Sequence, residues 1–348
     1  MRATPVASTH ACDARTHACV RWRGSRSGPA SRAGGRDGDP RLFSQLQVLV
    51  DEKPRPGQWI LTGSQEFELS ARASQSLAGR AGILTLLPPS WAELQRFTRH
   101  PKALHDVLWM GAYPRIHDRK LDPPRWHADY VRTYLERDVR RILKVTDLLT
   151  FQTFLKLCAG RAGQITNLAG LAADCGITQP TAKAWMSVLE ASFIVFRLPA
   201  FHRNRGKRLV KAPKLYFHDT GLLCRLLGIR DSESLRHHAL RGAVFESWVA
   251  SEIVKARRNR GLEPDLLHYR DRGGMEVDLV LERGEELTAI EVKSGETVSS
   301  DFFANLLRRK ELARERGDRR QKVESLVIYG GNERQARIRP THALAGGR

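Results

Sequence analysis

The 348-residue sequence has no run of 18 or more apolar residues and no basic-apolar-small leader. It therefore supports neither a membrane span nor a secretory signal, and the cytoplasm is the expected location. Cysteine is sparse and odd in number, at positions 12, 19, 158, 175 and 224, which describes no disulfide framework. Acidic residues are outnumbered, 38 Asp and Glu against 58 Lys and Arg, for a net charge of +20. That balance favours a polyanionic partner such as nucleic acid, with an arginine-rich composition as the competing explanation. The first 40 residues contain no Leu, Ile or Phe and no helical or strand period, so residues 1–40 are expected to be disordered. Within them Thr9-His10-Ala11-Cys12 recurs as Thr16-His17-Ala18-Cys19, but the spacing matches no closed zinc site.

A hydrophobic content of 41% over this length allows two or three domains with real cores, and an oligomer is compatible with it. From Leu42 the texture changes. Residues 42–51 carry apolar side chains at helical spacing, 54–57 form a turn, and 58–62 read as a buried strand ending in Gly63-Ser64-Gln65. Polar groups at the carboxyl end of such a strand are where a ligand sits in an α/β sheet. A strand is expected at 82–87, then the breaker Pro88-Pro89 and a helix with Ser90 as N-cap and Glu93 three positions on. Residues 126–149 carry a helical stripe that includes Trp126, Tyr130 and Ile142.

Residues 151–220 read as a helix-turn-helix with a wing. Helices at 151–162 and 168–174 precede the turn Cys175-Gly176-Ile177, and Thr178 caps a helix running to about residue 190. Ala172 and Gly176 have the small-residue spacing that permits a close helix crossing. Strands at 192–198 and 214–218 flank a loop holding Arg203, Arg205, Lys207, Arg208, Lys211 and Lys214 with no acidic residue. DNA contact would set these cations on phosphates and Gln179, Thr181 and Lys183 near base edges; the bland reading is an interdomain packing module.

Residues 275–295, MEVDLVLERGEELTAIEVKSG, read as a β-hairpin turning at Gly284-Glu285. That turn pairs Leu279 with Ile290, Asp278 with Glu291, and Glu276 with Lys293. Like charges directly opposite are destabilising unless something positive lies between them. An acidic pair with Lys293 on the face of Glu291 suits a divalent cation and metal-assisted phosphodiester hydrolysis. A merely solvated strand face is the alternative.

Two resemblances follow. The run VDEKPRPGQWILTGSQEFELSARASQSLAGRAGILTLLPPSWAEL resembles the second half of the ATPase core in a prokaryotic group of AAA+ ATPases with a C-terminal domain of unknown function. The likeness implies ATP binding in full-length relatives, with Ser64 as polar sensor and Arg80 as a nucleotide contact. No G-x-x-x-x-G-K-[ST] loop is present; the one Gly-Lys, Gly206-Lys207, has Phe201 where the first glycine belongs. Tight ATP binding is therefore not expected of this chain, and Ser64 and Arg80 read as relics of a truncated or wrongly called gene. The order helix, strand, hairpin, helix, strand, with twelve residues between Asp278 and Glu291-Val292-Lys293, resembles the PD-(D/E)XK nuclease superfamily, although Val277 stands where a proline precedes the Asp. That likeness implies Mg²⁺ held by Asp278 and Glu291, with Glu246 and Lys293 completing a catalytic set.

The expected fold is thus α/β multidomain. It comprises a tail at 1–40, a partial AAA+ core at 41–125, a helical and winged-helix region at 126–220, a nuclease-like α/β domain at 221–332, and a tail at 333–348. The expected function is that of an AAA+ family protein with a DNA-binding winged helix and a nuclease-like domain. The alternative is a non-catalytic regulatory or defence-related interaction protein.

Overall fold

The computed structural model describes residues 19–22, 40–52, 54–55, 57–62, 77–135, 147–202, 211–271, 273–284, 286–297 and 322–332. The chain divides into two compact units, 1–84 and 85–348.

In the first unit, α1 (Pro40–Glu52) turns Phe43 and Leu46, three residues apart, onto one side against Leu77, with Trp59 and Leu61 packed beside them. β1 (Cys19–Trp22) pairs antiparallel with β2 (Trp59–Thr62), Cys19 opposite Thr62 and Trp22 opposite Trp59. Disorder was expected across 1–40, and these four residues depart from it. Val20 and Trp22 are good strand formers, and the edge of β2 supplies ladder partners that a composition argument cannot see. The His/Cys repeat otherwise lies outside the described residues. The strand expected at 82–87 is not formed: no described strand pairs with it, and Ile83 and Leu84 stand exposed.

The second unit opens with α2 (Trp91–Leu94), where the Glu93 carboxylate accepts both the Ser90 N–H and the Ser90 hydroxyl at 2.8 Å. Short helices α3 (Leu104–Met110), α4 (Pro114–Arg119) and α5 (Pro123–Tyr130) follow, the last continued by a π turn over Val131–Leu135. Residues 136–146, part of the helix expected over 126–149, lie outside the described residues.

Next come α6 (Leu148–Gly160), α7 (Leu168–Cys175) and α8 (Gln179–Ala191), capped by side-chain oxygens of Asp147, Asn167 and Thr178. α7 ends on Gly176 at φ 66°, with Ile177 N–H bonded to Ala172 O and Gly176 N–H to Ala173 O. This is the Schellman pattern, so Gly176 is required for its left-handed backbone; a Cβ there would meet nothing within 4 Å. β3 (Val195–Leu198) and β4 (Lys214–Phe217) form a two-stranded antiparallel sheet, the connecting residues 203–210 being outside the described set.

α9 (Thr220–Leu226), α10 (Ser232–His237) and α11 (Arg241–Arg258) lead to a four-stranded sheet of order β5 (Leu266–Arg270), β6 (Glu276–Arg283), β7 (Glu286–Lys293), β8 (Lys322–Tyr329). β5, β6 and β7 are antiparallel neighbours and β8 runs parallel to β7. The helix expected at 301–314 falls outside the described residues.

One continuous core runs from Leu108 through Phe151, Phe154 and Trp185 to Val244, Leu279, Ile290 and Val292. It crosses the boundaries expected near 125 and 220. Phe151 and Phe154 meet Trp185 edge-on at 5.3 and 5.5 Å, the geometry that aromatic quadrupoles favour.

The hairpin register agrees with the sequence from Arg283↔Glu286 out to Leu279↔Ile290 and stops there. The expected ladder pairs Asp278/Glu291 and Glu276/Lys293 are not formed. The cause lies on the other edge of β6. Leu267 pairs with Val280 but Tyr269 with Val277, so Asp278 and Leu279 together oppose His268. That is a β-bulge, which bends the strand and re-aims a side chain.

Candidate functional site

α11 buries Val244, Phe245, Ala250 and Val254 against the core and directs Glu246 to the ends of β4 and β6. Small buried Ser247, Ala250 and Ser251 bring its backbone close to its neighbours. The Glu246 carboxylate accepts the Tyr216 hydroxyl at 2.6 Å and the Lys214 ammonium at 3.3 Å. Lys214, only 3% exposed, also pairs with Glu276 at 2.5 Å and lies 4.0 Å from Asp278. The bulge leaves Asp278 beside β7, where its Oδ2 accepts the Val292 N–H at 2.8 Å. On β7 the Lys293 ammonium donates to Glu291 Oε1 at 2.7 Å. Glu291 Oε2 is buried with no hydrogen-bond partner.

Four carboxylates thus share two ammonium groups, and the proton affinities follow. Burial, reinforced by the Asp278 charge, pushes Glu246 up to about 7 despite Lys214 and Tyr216. Burial likewise raises Asp278 against the opposing pull of Val292 N–H and Lys214. Glu291 is raised by burial and by Asp278. Burial works to lower Lys214 and Lys293, but the surrounding carboxylates outweigh it and both stand above the usual lysine range. The cluster is short of positive charge.

Glu246, Asp278, Glu291 and Lys293 lie in one cluster, and three further members stand outside the set expected from the sequence: Lys214, Tyr216 and Glu276. Lys214 had been counted among the phosphate-contacting cations of the wing. Its burial among carboxylates corrects that reading. The signal available in sequence was its place in an apolar strand, Lys-Leu-Tyr-Phe, rather than in the polar loop before it.

The other candidates are placed differently. Gln179 and Lys183 are exposed one turn apart on α8, and Thr181 is half-buried with its N–H on Thr178 Oγ1 at 3.3 Å. Arg203, Arg205, Lys207, Arg208 and Ser64 lie outside the described residues. Arg80, expected at a nucleotide, is held by Asp51 through Nε at 2.6 Å and Nη2 at 3.0 Å. A cleft of about 500 Å³ lined by Phe193, Phe196, Pro264 and Leu267 shares no residue with the cluster.

Among the described residues no group of three or more His, Cys, Asp or Glu side chains is disposed to hold a metal ion. Mg²⁺ asks for less, since it binds through one or two carboxylates and keeps several waters. In Asp278 and Glu291, one oxygen of each carboxylate is fixed by a hydrogen bond, and Glu291 Oε2 is left over, buried and unbonded.

Comparison with known proteins divides the chain into three. Residues 38–95 match the family model of an AAA domain, 101–233 that of a domain of unknown function (DUF8612), and 241–344 that of a second (DUF4143). Uncharacterized proteins of Mycobacterium bovis and Mycobacterium tuberculosis are each 31% identical over 264 residues, 75% of this chain and 57% of theirs. The chain thus spans little more than half the length of the curated relatives it matches. No solved structure matches it. No described helix is long and apolar enough to cross a membrane. Residues 38–95 are thus similar to an AAA domain, and residues 241–344 to a domain of unknown function.

Proposed function

We propose that this ATPase-like chain of the AAA family acts on DNA, with residues 151–220 as a winged helix-turn-helix that binds it and 241–332 as a PD-(D/E)XK-type nuclease domain. The observation that carries the proposal is that Glu246, Asp278, Glu291 and Lys293, from α11, β6 and β7, lie in one cluster in which Glu291 Oε2 is buried with no partner. Asp278 and Glu291 would hold Mg²⁺, whose chemistry when bound is to polarise the phosphate and lower the pKa of a water. The protein's own part is positional. The Val292 N–H and the Lys293 ammonium orient the two carboxylates, and Lys293, 36% exposed in its side chain, reaches solvent where a phosphodiester would approach. Glu246, held by the Tyr216 hydroxyl and the Lys214 ammonium, would complete the set as a proton acceptor. On the binding side, α8 presents Gln179 and Lys183 together, and the loop after β3 carries Arg203, Arg205, Lys207 and Arg208. ATP belongs to full-length relatives; this sequence lacks the phosphate loop for it.

A second reading, a non-catalytic interaction protein of regulatory or defence type, draws on Lys214. Its ammonium neutralises part of the carboxylate charge and would suit a purely structural cluster. Plasmid cleavage in Mg²⁺ or Mn²⁺ separates the two. The nuclease reading expects nicking by the intact chain and a loss of about a hundredfold or more in Asp278→Ala, beyond the effect of perturbing only a ligand's partner. No cleavage with either metal leaves the interaction protein.

A further inference from the structure

α8 ends as α7 does, with one difference. Ile194 N–H bonds to Leu189 O and Phe193 N–H to Glu190 O, again the Schellman pattern, but the residue in left-handed backbone is Phe193 at φ 52°, where α7 has Gly176. A bulky aromatic is strained there, and a glycine would relieve it. Asp265, at φ 43°, is a second non-glycine residue so placed. Both line the cleft of about 500 Å³ to which β3, α11 and β5 contribute, away from the carboxylate cluster. Strained residues of this kind persist at ligand clamps and other functional sites.

The walls of the cleft set what fits it. Phe193, Phe196, Pro264 and Leu267 make much of the lining apolar. Each charged group that lines it is engaged within the protein: Arg197 donates twice to Glu190 at 2.7 Å, Arg258 meets Glu263 at 3.2 Å, and Asp265 is held by Arg257. A charged ligand would have to break into one of these pairs. His218 differs. Its ring is tilted on Phe196 at 4.5 Å and edge-on to Phe193 at 6.2 Å, its Nδ1 is buried without a partner, and burial with Lys255 and Arg258 keeps it uncharged. An unsatisfied buried polar atom asks for a partner, which an occupant of the cleft can supply.

We propose that the cleft is a binding site for an uncharged, mainly apolar small molecule, with a ring to lie against Phe193 and Phe196 and one hydroxyl or amide group to meet His218. Its volume is that of a small-molecule site, and apolar walls with few polar groups are the usual lining of one. The ring of Phe193 then gives the ligand a contact that the glycine usual at such a helix end cannot. The inference rests on neither the DNA-binding nor the metal-binding reading.

The test is equilibrium dialysis of naphthalene, naphthol, naphthoate and naphthylmethylammonium against the full chain near neutral pH, for wild type, Phe193→Gly and His218→Phe. Burying a hydroxyl without a partner is unfavourable, so a cleft with nothing to offer it takes naphthalene in preference to naphthol. The expected result in wild type is the reverse order, with both charged molecules weaker than either. Naphthol should bind about tenfold more weakly to Phe193→Gly, which lacks one aromatic wall, and its advantage over naphthalene should vanish in His218→Phe. No saturable binding of naphthalene or naphthol to wild type overturns the proposal, as does tightest binding of either charged molecule. Naphthalene ahead of naphthol in wild type, or a naphthol advantage kept in folded His218→Phe, overturns the part given to His218. Unchanged binding in Phe193→Gly places the molecule elsewhere and overturns the cleft. Should His218→Phe fail to fold, the order of the four molecules in wild type and the loss in Phe193→Gly still decide, because glycine suits the left-handed backbone at that helix end.

Discussion

His218 and Asp219 show how far a single buried polar side chain depends on its setting. Asp219 caps α9 by accepting the Leu222 N–H at 2.8 Å, and also takes the Ala112 N–H at 2.6 Å, with His127 at 3.5 Å. Burial alone would raise its carboxyl, but His127 and the two backbone donors prevail and hold it below the ordinary aspartate range. His218 has the opposite fortune. Its ring packs on Phe196 at 4.5 Å, its Nδ1 is buried without a partner, and it faces Lys255 and Arg258 of α11, with only Asp219 to favour a charge. Burial, then Lys255 and Arg258, pull it from 6.5 to about 3. A folded pKa below the unfolded one means that stability is whole above 6.5 and drains as pH falls toward 3. His218→Gln cannot titrate. Between about pH 7 and about pH 4 the stability gap between wild type and variant should therefore move by about 3 kcal/mol in the variant's favour. Chemical denaturation at the two pH values measures it, and a constant gap would contradict a neutral buried His218.

At the scale of elements, two glycines give opposite grounds for the same substitution. Gly176 ends α7 at φ 66° with open space around it, whereas Gly221 in the first turn of α9 has an ordinary φ. At Gly221 a Cβ would meet Met110 O at 2.5 Å and His127 Cε1 at 2.6 Å. Gly176→Ala should cost about 1 kcal/mol through backbone strain, and Gly176→Asn less, because Asn tolerates the left-handed region. Gly221→Ala must push α9 away from α3 and α5, so about 3 kcal/mol is expected with no relief from Asn. Thermal melts of the three variants distinguish strain from clash. The first glycine was legible in sequence, since Cys175-Gly176-Ile177 falls between two helical patterns and before the cap Thr178. The second was not, because the backbone it touches lies more than a hundred residues earlier. The hairpin was legible for the same local reason: a two-residue turn fixes the register from Arg283↔Glu286 outward. Its end was not. The bulge at Asp278 and Leu279 is set by β5, and no alternation within β6 announces it.

For the whole molecule, the net charge of +20 and the arrangement of the site bear on different questions. Charge argues for a polyanionic partner and for steering toward it, but says nothing of where contact is made. Asp278, Glu291 and Lys293 could be picked from spacing and residue type, and Glu246 only through the resemblance to the nuclease fold. Lys214, Tyr216 and Glu276 could not, because what selects them is the packing of β4 against α11 and the sheet, a matter of one shared core from Leu108 to Val292. That packing also divides the basic residues into two groups. Lys214 is buried and spent on carboxylates, whereas Lys183 and Lys211 are exposed. If the loop after β3 binds phosphates, replacing Arg203, Arg205, Lys207 and Arg208 by Ala should flatten the plot of log affinity for duplex DNA against log salt, by about 0.9 per lost phosphate contact and so by up to about 3.6. Weakening should be nearly uniform across DNA sequences. Lys183→Ala with Gln179→Ala should instead change preference among sequences if α8 acts as a recognition helix, because these side chains are offered together at its start. Fluorescence anisotropy over a salt series with two unrelated duplexes tests both. An unchanged slope in the fourfold variant would remove the loop from the interface and leave the positive charge as a property of composition alone.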